Sequence, residues 1–304
     1  MPFPTPPSDA PTAPPPLAAT TPSKEPSRRP SPVPLLAGLL TMIALFVGLY
    51  FFFVRTATGQ WLDEQAFLGG FAVVGPANAR SAGLGWLNRL PEAVGVLCAV
   101  GLVVCAWVRR SLAVPAVAAL TAAAAMIATQ LLKHGVLDRP GLGVSEAWAN
   151  SFPSGHTTAA AAATVALVLA APARARRTVT VLGALASAAT GAATLLMGWH
   201  RPSDIAAAFL VSGACGLLGA WVIASLNARR PVPPRRRPAH GMWILSILGA
   251  GLCLVSLAFA LTRLGPVALD AQDPTAFFVA GLLAILGSAL LVFPALERLA
   301  SPRL

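Results

Sequence analysis

Three short clusters in the sequence carry side chains able to move a phosphoryl group. They are Lys133-His134-Gly135-Val136-Leu137-Asp138-Arg139-Pro140, Pro153-Ser154-Gly155-His156 and His200-Arg201-Pro202-Ser203-Asp204. Ser154 and Gly155 stand directly before an Ala-rich run, which as a helix aims its first amides and its positive end at whatever lies there, a ready anion site. Lys133 and Arg139 add fixed positive charge, and a guanidinium fork suits phosphate oxygens. His200 and Asp204 are four residues apart, which places both on one helix face and lets the carboxylate fix the ring's tautomer. A histidine held in this way has its other ring nitrogen free to attack. His156, from a different helix, then suits the acid that protonates a departing oxygen and later the base that activates water.

The elements that must bring these clusters together are membrane helices. Of 304 residues, 56% are apolar and 11% charged, against roughly 25% charged in a soluble domain. The net charge of +11 sits in short clusters between apolar runs, so no polar domain exists to carry a nucleic-acid groove. Cys98, Cys105, Cys215 and Cys253 all lie within apolar runs, without the spacing of a disulfide framework or a zinc site, and read as packing residues. Residues 1–33 are crowded with Pro, Ser, Thr and Ala and lack the pattern of a signal peptide, which predicts a disordered cytoplasmic tail.

Lipid offers no partner to an unpaired amide, so each span needs about 20 mostly apolar residues. About eight segments qualify: 34–54, 92–108, 112–132, 156–172, 178–198, 205–226, 242–262 and 274–295. The fourth is short. With the N-terminus inside, 15 of the 22 Lys and Arg fall on the cytoplasmic side and seven on the other, so both termini are expected in the cytoplasm. All three clusters then lie at extracytoplasmic helix ends of a plasma (inner) membrane protein. Segment 55–90 carries Trp61, Leu62, Phe67, Leu68, Trp86 and Leu87 and is expected to lie along the interface in amphipathic pieces over the outer mouth. The Arg-rich linker 227–241 reads as a cytoplasmic topology determinant. His134 and His240 read as interfacial polar residues, and Asp138, Glu146 and Trp148 as loop residues.

The clusters resemble the three signature motifs of the type 2 phosphatidic acid phosphatase superfamily, which includes bacterial lipid phosphatases, glucose-6-phosphatase and vanadium-dependent haloperoxidases. Those motifs are Lys, six residues, Arg-Pro; Pro-Ser-Gly-His; and Ser-Arg, five residues, His, three residues, Asp. The resemblance covers roughly residues 34–226. It implies an all-α six-helix phosphatase core over 34–226, with residues 242–304 adding two further transmembrane helices, and it implies no metal or other cofactor. It also implies that His200 is a nucleophile forming a phosphohistidine, Asp204 its orienting partner and His156 the general acid. Lys133, Arg139, Ser154 and the amide of Gly155 are then the groups that hold the phosphoryl oxygens.

Two departures stand out. Five residues, not six, separate Lys133 from Arg139, and Ala193 and Thr194 occupy the places of the family's Ser and Arg. Arg201, next to the nucleophile, is the expected source of the missing phosphate-binding charge. The leading functional expectation is a membrane phosphatase acting, within the bilayer, on a lipid phosphate or diphosphate such as a polyprenyl diphosphate or a phosphatidic acid-type lipid. A phosphotransferase that passes the phosphoryl group to an alcohol is one alternative. A non-catalytic membrane protein that binds or moves a lipid phosphate is another, motivated by Thr194. For the last two helices, packing on the core, a dimer contact and a partner site all stay open.

Overall fold

The computed structural model describes residue 1 and residues 31–75, 89–145, 149–227, 240–263 and 274–301. The tail, most of the 227–241 linker, Trp86, Leu87, Glu146 and Trp148 lie outside the described residues. The rest is helical. In chain order the helices are α1 (Val33–Leu49), α2 (Ala57–Val74), α3 (Leu90–Arg109), α4 (Ala113–Leu131), α5 (Gly155–Ala170), α6 (Arg176–Leu196), α7 (Pro202–Leu226), α8 (His240–Thr262) and α9 (Pro274–Ala300). Two of them end in a wider, π-helical turn, Tyr50–Val54 after α1 and Leu132–Val136 after α4.

Every expected span falls on a helix, and the protein is an all-α integral membrane protein. Seven helices are long and apolar enough to cross a membrane; α5, with 16 residues, is shorter. At 1.5 Å per residue it measures about 24 Å, less than the roughly 30 Å of a hydrocarbon core. It has no need to face lipid along its length, because α3, α4, α6 and α7 all pack on it and all but a few of its residues are buried. Its run of alanines lets those neighbours come close. Gly216 of α7 serves the same end, since a Cβ there would sit 2.8 Å from Val165 of α5.

α7 is the other central element, with Phe209, Leu217 and Ile205 in the main apolar cluster. α9 packs on α2, α6 and α7, and Phe293 meets Phe209 edge-on with ring centroids 5.7 Å apart. Of the readings left open for the last two helices, packing on the core therefore describes α9, while α8 leans on α9. α2 departs from expectation. It is one helix, started by Thr56, whose side chain accepts from the Gly59 amide at 3.0 Å. Gln60, Asp63 and Glu64 on it are buried, so its polar stripe turns inward instead of lying on a membrane surface.

At the end of α5 away from His156, the last carbonyls need partners that lipid cannot supply. Two arginines provide them. Arg109 donates to Ala170 O at 2.7 Å and Ala171 O at 3.0 Å, and Arg176 donates to Val168 O at 3.2 Å and Ala171 O at 3.0 Å. Cations at a helix C-terminus also complement its dipole. These residues, expected only as topology charges, thus terminate the central helix. Arg176→Met keeps the volume and removes the donors; it is expected to cost about 1.5–3 kcal/mol, read as a lower Tm of the detergent-solubilised protein. An unchanged Tm would show the bonds to be dispensable.

Candidate active site

The first cluster is shaped by the wide turn after α4. Asn150 donates to Lys133 O and Leu137 O, both at 3.0 Å, and so fastens this turn to the segment entering α5. Asp138 is held by Tyr50, which donates to its backbone carbonyl and carboxylate at 3.0 Å, and by Arg55. Those bonds leave the next residue, Arg139, directed inward, with a side chain only 2% exposed. Its Nη2 lies 3.4 Å from Asp204 Oδ1, and its Nε and Nη1 are buried with no hydrogen-bond partner. A guanidinium with unmet buried donors is costly unless something anionic completes it.

The second cluster begins α5. Ser154 is fully buried; its Oγ accepts from the Thr157 amide at 3.2 Å and donates to Thr157 Oγ1 at 3.0 Å. The hydroxyl expected on phosphate is therefore committed to capping the helix. The amides of Gly155 and His156, the first two of α5, make no hydrogen bond among the described residues. They are the anion-facing pair. The His156 ring lies against Trp199, with centroids 4.9 Å apart and planes at 33°, and 6.3 Å from the His200 ring.

The third cluster follows a tight turn. Gly198, at φ +70°, adopts a left-handed conformation that glycine takes without strain, and the amides of Trp199 and His200 both return to Thr194 O. His200 Nδ1 then sits 3.4 Å from Asp204 Oδ2, the same oxygen that accepts from the Arg201 amide at 3.0 Å. The backbone carbonyl of Asp204 accepts from the Ser154 amide at 3.0 Å. One buried residue thus touches His200, Arg139 and the start of α5. All three clusters meet.

Arg201 does not have the free charge expected of it. Its Nε and Nη2 lie 2.8 and 2.5 Å from Glu64 Oε2, its Nη2 is 3.2 Å from Ser145 Oγ, and its guanidinium lies 4.7 Å over the Phe67 ring. Its charge is cancelled at close range. Nor is Glu64 alone. Asp63 accepts from the Ser203 amide at 3.1 Å and from its hydroxyl, and Gln60 donates to Val54 O at 2.8 Å and Pro140 O at 2.9 Å. These α2 residues went unrecognised in the sequence, although their i, i+3, i+4 spacing in an apolar stretch was there to be seen.

A scan of family models matches residues 114–229 to the PAP2 superfamily. Over that stretch the chain belongs to the PAP2 superfamily. The match runs from α4 to just beyond α7, so it takes in all three clusters and leaves out α2. No curated protein and no solved structure matches the chain. PAP2 proteins are in general phosphatases, which places this one at the coarse level among phosphoester hydrolases.

The PAP2 site carries one carboxyl that titrates near neutrality. Burial, with the charge of Asp204 adding to it, pushes Asp63 up to about 7 from 3.8, against the opposing pull of Arg139, Arg201 and the Ser203 hydrogen bond. The folded state therefore binds a proton that the unfolded chain has already released. The stability this contributes is full below about pH 4 and is lost as pH rises to about 7, beyond which it stays lost. Asp63→Asn cannot ionise. The Tm of wild type relative to Asp63→Asn is expected to fall between those two pH values and to level off above them; parallel curves would contradict the assignment.

Proposed function

We propose that the protein is a membrane phosphatase that hydrolyses a lipid phosphate or diphosphate through a phosphohistidine at His200, on the extracytoplasmic side of the plasma membrane. The observation that carries this reading is Arg139: a buried guanidinium with two unmet donors, beside a histidine–aspartate pair. A phosphoryl group supplies the acceptors those donors lack.

In this reading Asp204 accepts from His200 Nδ1–H and leaves the Nε2 lone pair free. The Nε2–P bond forms as the P–O bond to the lipid breaks, and protonated His156 delivers its proton to the leaving oxygen. Neutral His156 then takes a proton from water, whose oxygen attacks phosphorus and releases His200. Lys133, Arg139 and the Gly155 amide hold the phosphoryl oxygens and offset their growing charge. The 3.4 Å separation of His200 and Asp204 is of the loose kind that tightens when substrate binds. A lipid substrate fits a site at the ends of apolar helices, where a tail stays in the bilayer while the head group reaches the histidines. The same intermediate serves transfer to an alcohol, and phosphate release without an added acceptor selects hydrolysis.

The test is phosphate release by the purified protein from polyprenyl, glycerolipid and soluble phosphates. His200→Ala and His156→Ala are expected to abolish turnover, and Arg139→Ala to lower kcat about 10²–10³-fold, as for the loss of one preorganised transition-state donor. Wild type no faster than His200→Ala on every phosphate would point instead to a lipid-phosphate-binding protein.

A further inference from the structure

We propose that Asp63 and Glu64 of α2 are positioning residues that aim His200, with Arg201 serving as the handle by which α2 holds the first turn of α7. The proposal rests on the phosphohistidine reading for its effect on rate, and on the fold alone for its geometry.

His200 lies two residues before α7, so its ring can be placed no better than that helix start. Pro202 has no amide to donate, and the Arg201 amide is taken by Asp204. Ser203 is the next donor, and α2 claims both of its groups: the amide and the hydroxyl each bond Asp63. Arg201, immediately after His200, is gripped by Glu64 through two of its nitrogens. The residues flanking the turn are therefore anchored to two adjacent carboxylates on one helix. Gln60, one turn earlier, reaches Pro140 O, so the same face also sets the height of Arg139. Each of these partners is buried, where a hydrogen-bonded ion pair is screened least.

This arrangement also gives Arg201 a purpose other than touching phosphate. A guanidinium bound through Nε and Nη2 to a carboxylate and stacked on Phe67 has little charge left for a substrate. It retains rigidity, and misplacing a reacting group by about 1 Å can cost about 10²-fold in rate. Since α2 lies outside the stretch matched by the family, the clamp belongs to this chain's own elaboration of the site.

The test compares Glu64→Gln, Arg201→Gln and the double variant in full-length protein. Each single change is expected to lower kcat tenfold or more with KM within about twofold. Each single change also leaves one buried charge unpaired and lowers Tm; the double variant removes both charges and regains Tm, yet its kcat is expected to be no better than about tenfold below wild type and no worse than the singles. Regained stability without regained rate separates positioning from folding. If a single variant does not accumulate, the double variant carries the test, with kcat lowered at constant KM supporting the clamp. Raised KM at unchanged kcat in Arg201→Gln or in the double variant, or losses that multiply in the double, overturns it and makes Arg201 a phosphate ligand. The second readout needs no turnover: the rate at which diethyl pyrocarbonate modifies His200, followed by mass spectrometry. Faster modification in the double variant and in Asp63→Ala supports the clamp, and wild-type rates overturn it. If wild type releases no phosphate above His200→Ala, the phosphatase reading fails while this measurement still decides the clamp.

Discussion

Everything at this site depends on keeping one carboxylate dry. Asp204 is fully buried, and an isolated charge there would be prohibitively expensive. It is tolerable because its oxygens face the Arg201 amide, His200 and Arg139, one contact from each group that must be fixed. The same residue's carbonyl takes the Ser154 amide. The cost of burying Asp204 thus forces the three clusters to converge, and an error in any one of them would leave a charge without a partner.

Convergence at one end requires that the other end hold still. α5 is the shortest of the apolar helices and the most enclosed, and its alanines supply close contact but no large side chain to interlock. Its axial position is fixed by its termini instead: Ser154 at one end, Arg109 and Arg176 at the other. Because Gly155 and His156 are its first residues, any slide of α5 along its axis moves the anion-facing amides and the general acid together. The arginines some 16 residues away thus help to set the depth of the site.

Much of this was legible in the sequence, for reasons that can be stated. The spans were visible because lipid enforces long apolar runs, and the three clusters because charged residues at helix ends break those runs. The His200 and Asp204 pairing followed from helical spacing. What was not legible was direction. Trp61, Leu62, Phe67 and Leu68 suggested a helix lying on the interface with its polar residues toward water; the folded chain turns Gln60, Asp63 and Glu64 inward. In a protein whose surroundings are apolar, the polar face is the one that seeks the interior, so the amphipathic rule for surface helices gave α2 the wrong orientation. Arg201 was misjudged for a related reason. Its partner is 137 residues away in sequence, and no local pattern announces it.

The absence of a cation at Thr194 then takes on a different meaning. Thr194 is not a damaged phosphate ligand: its hydroxyl donates to Gly191 O at 2.8 Å and its carbonyl receives the amides of Trp199 and His200, so it builds the turn that presents the nucleophile. With Thr194 neutral and Arg201 paired to Glu64, the positive charges left near His200 are Lys133 and Arg139, and Arg139 already leans on Asp204. A site so sparing of cations must draw more of its anion affinity from oriented amides than from net charge. That places weight on the start of α5, where free amides in a low-dielectric setting act at full strength and need no counterion. It also explains why Arg139 is buried so completely. A single guanidinium shielded from water can do what several solvated ones would otherwise share.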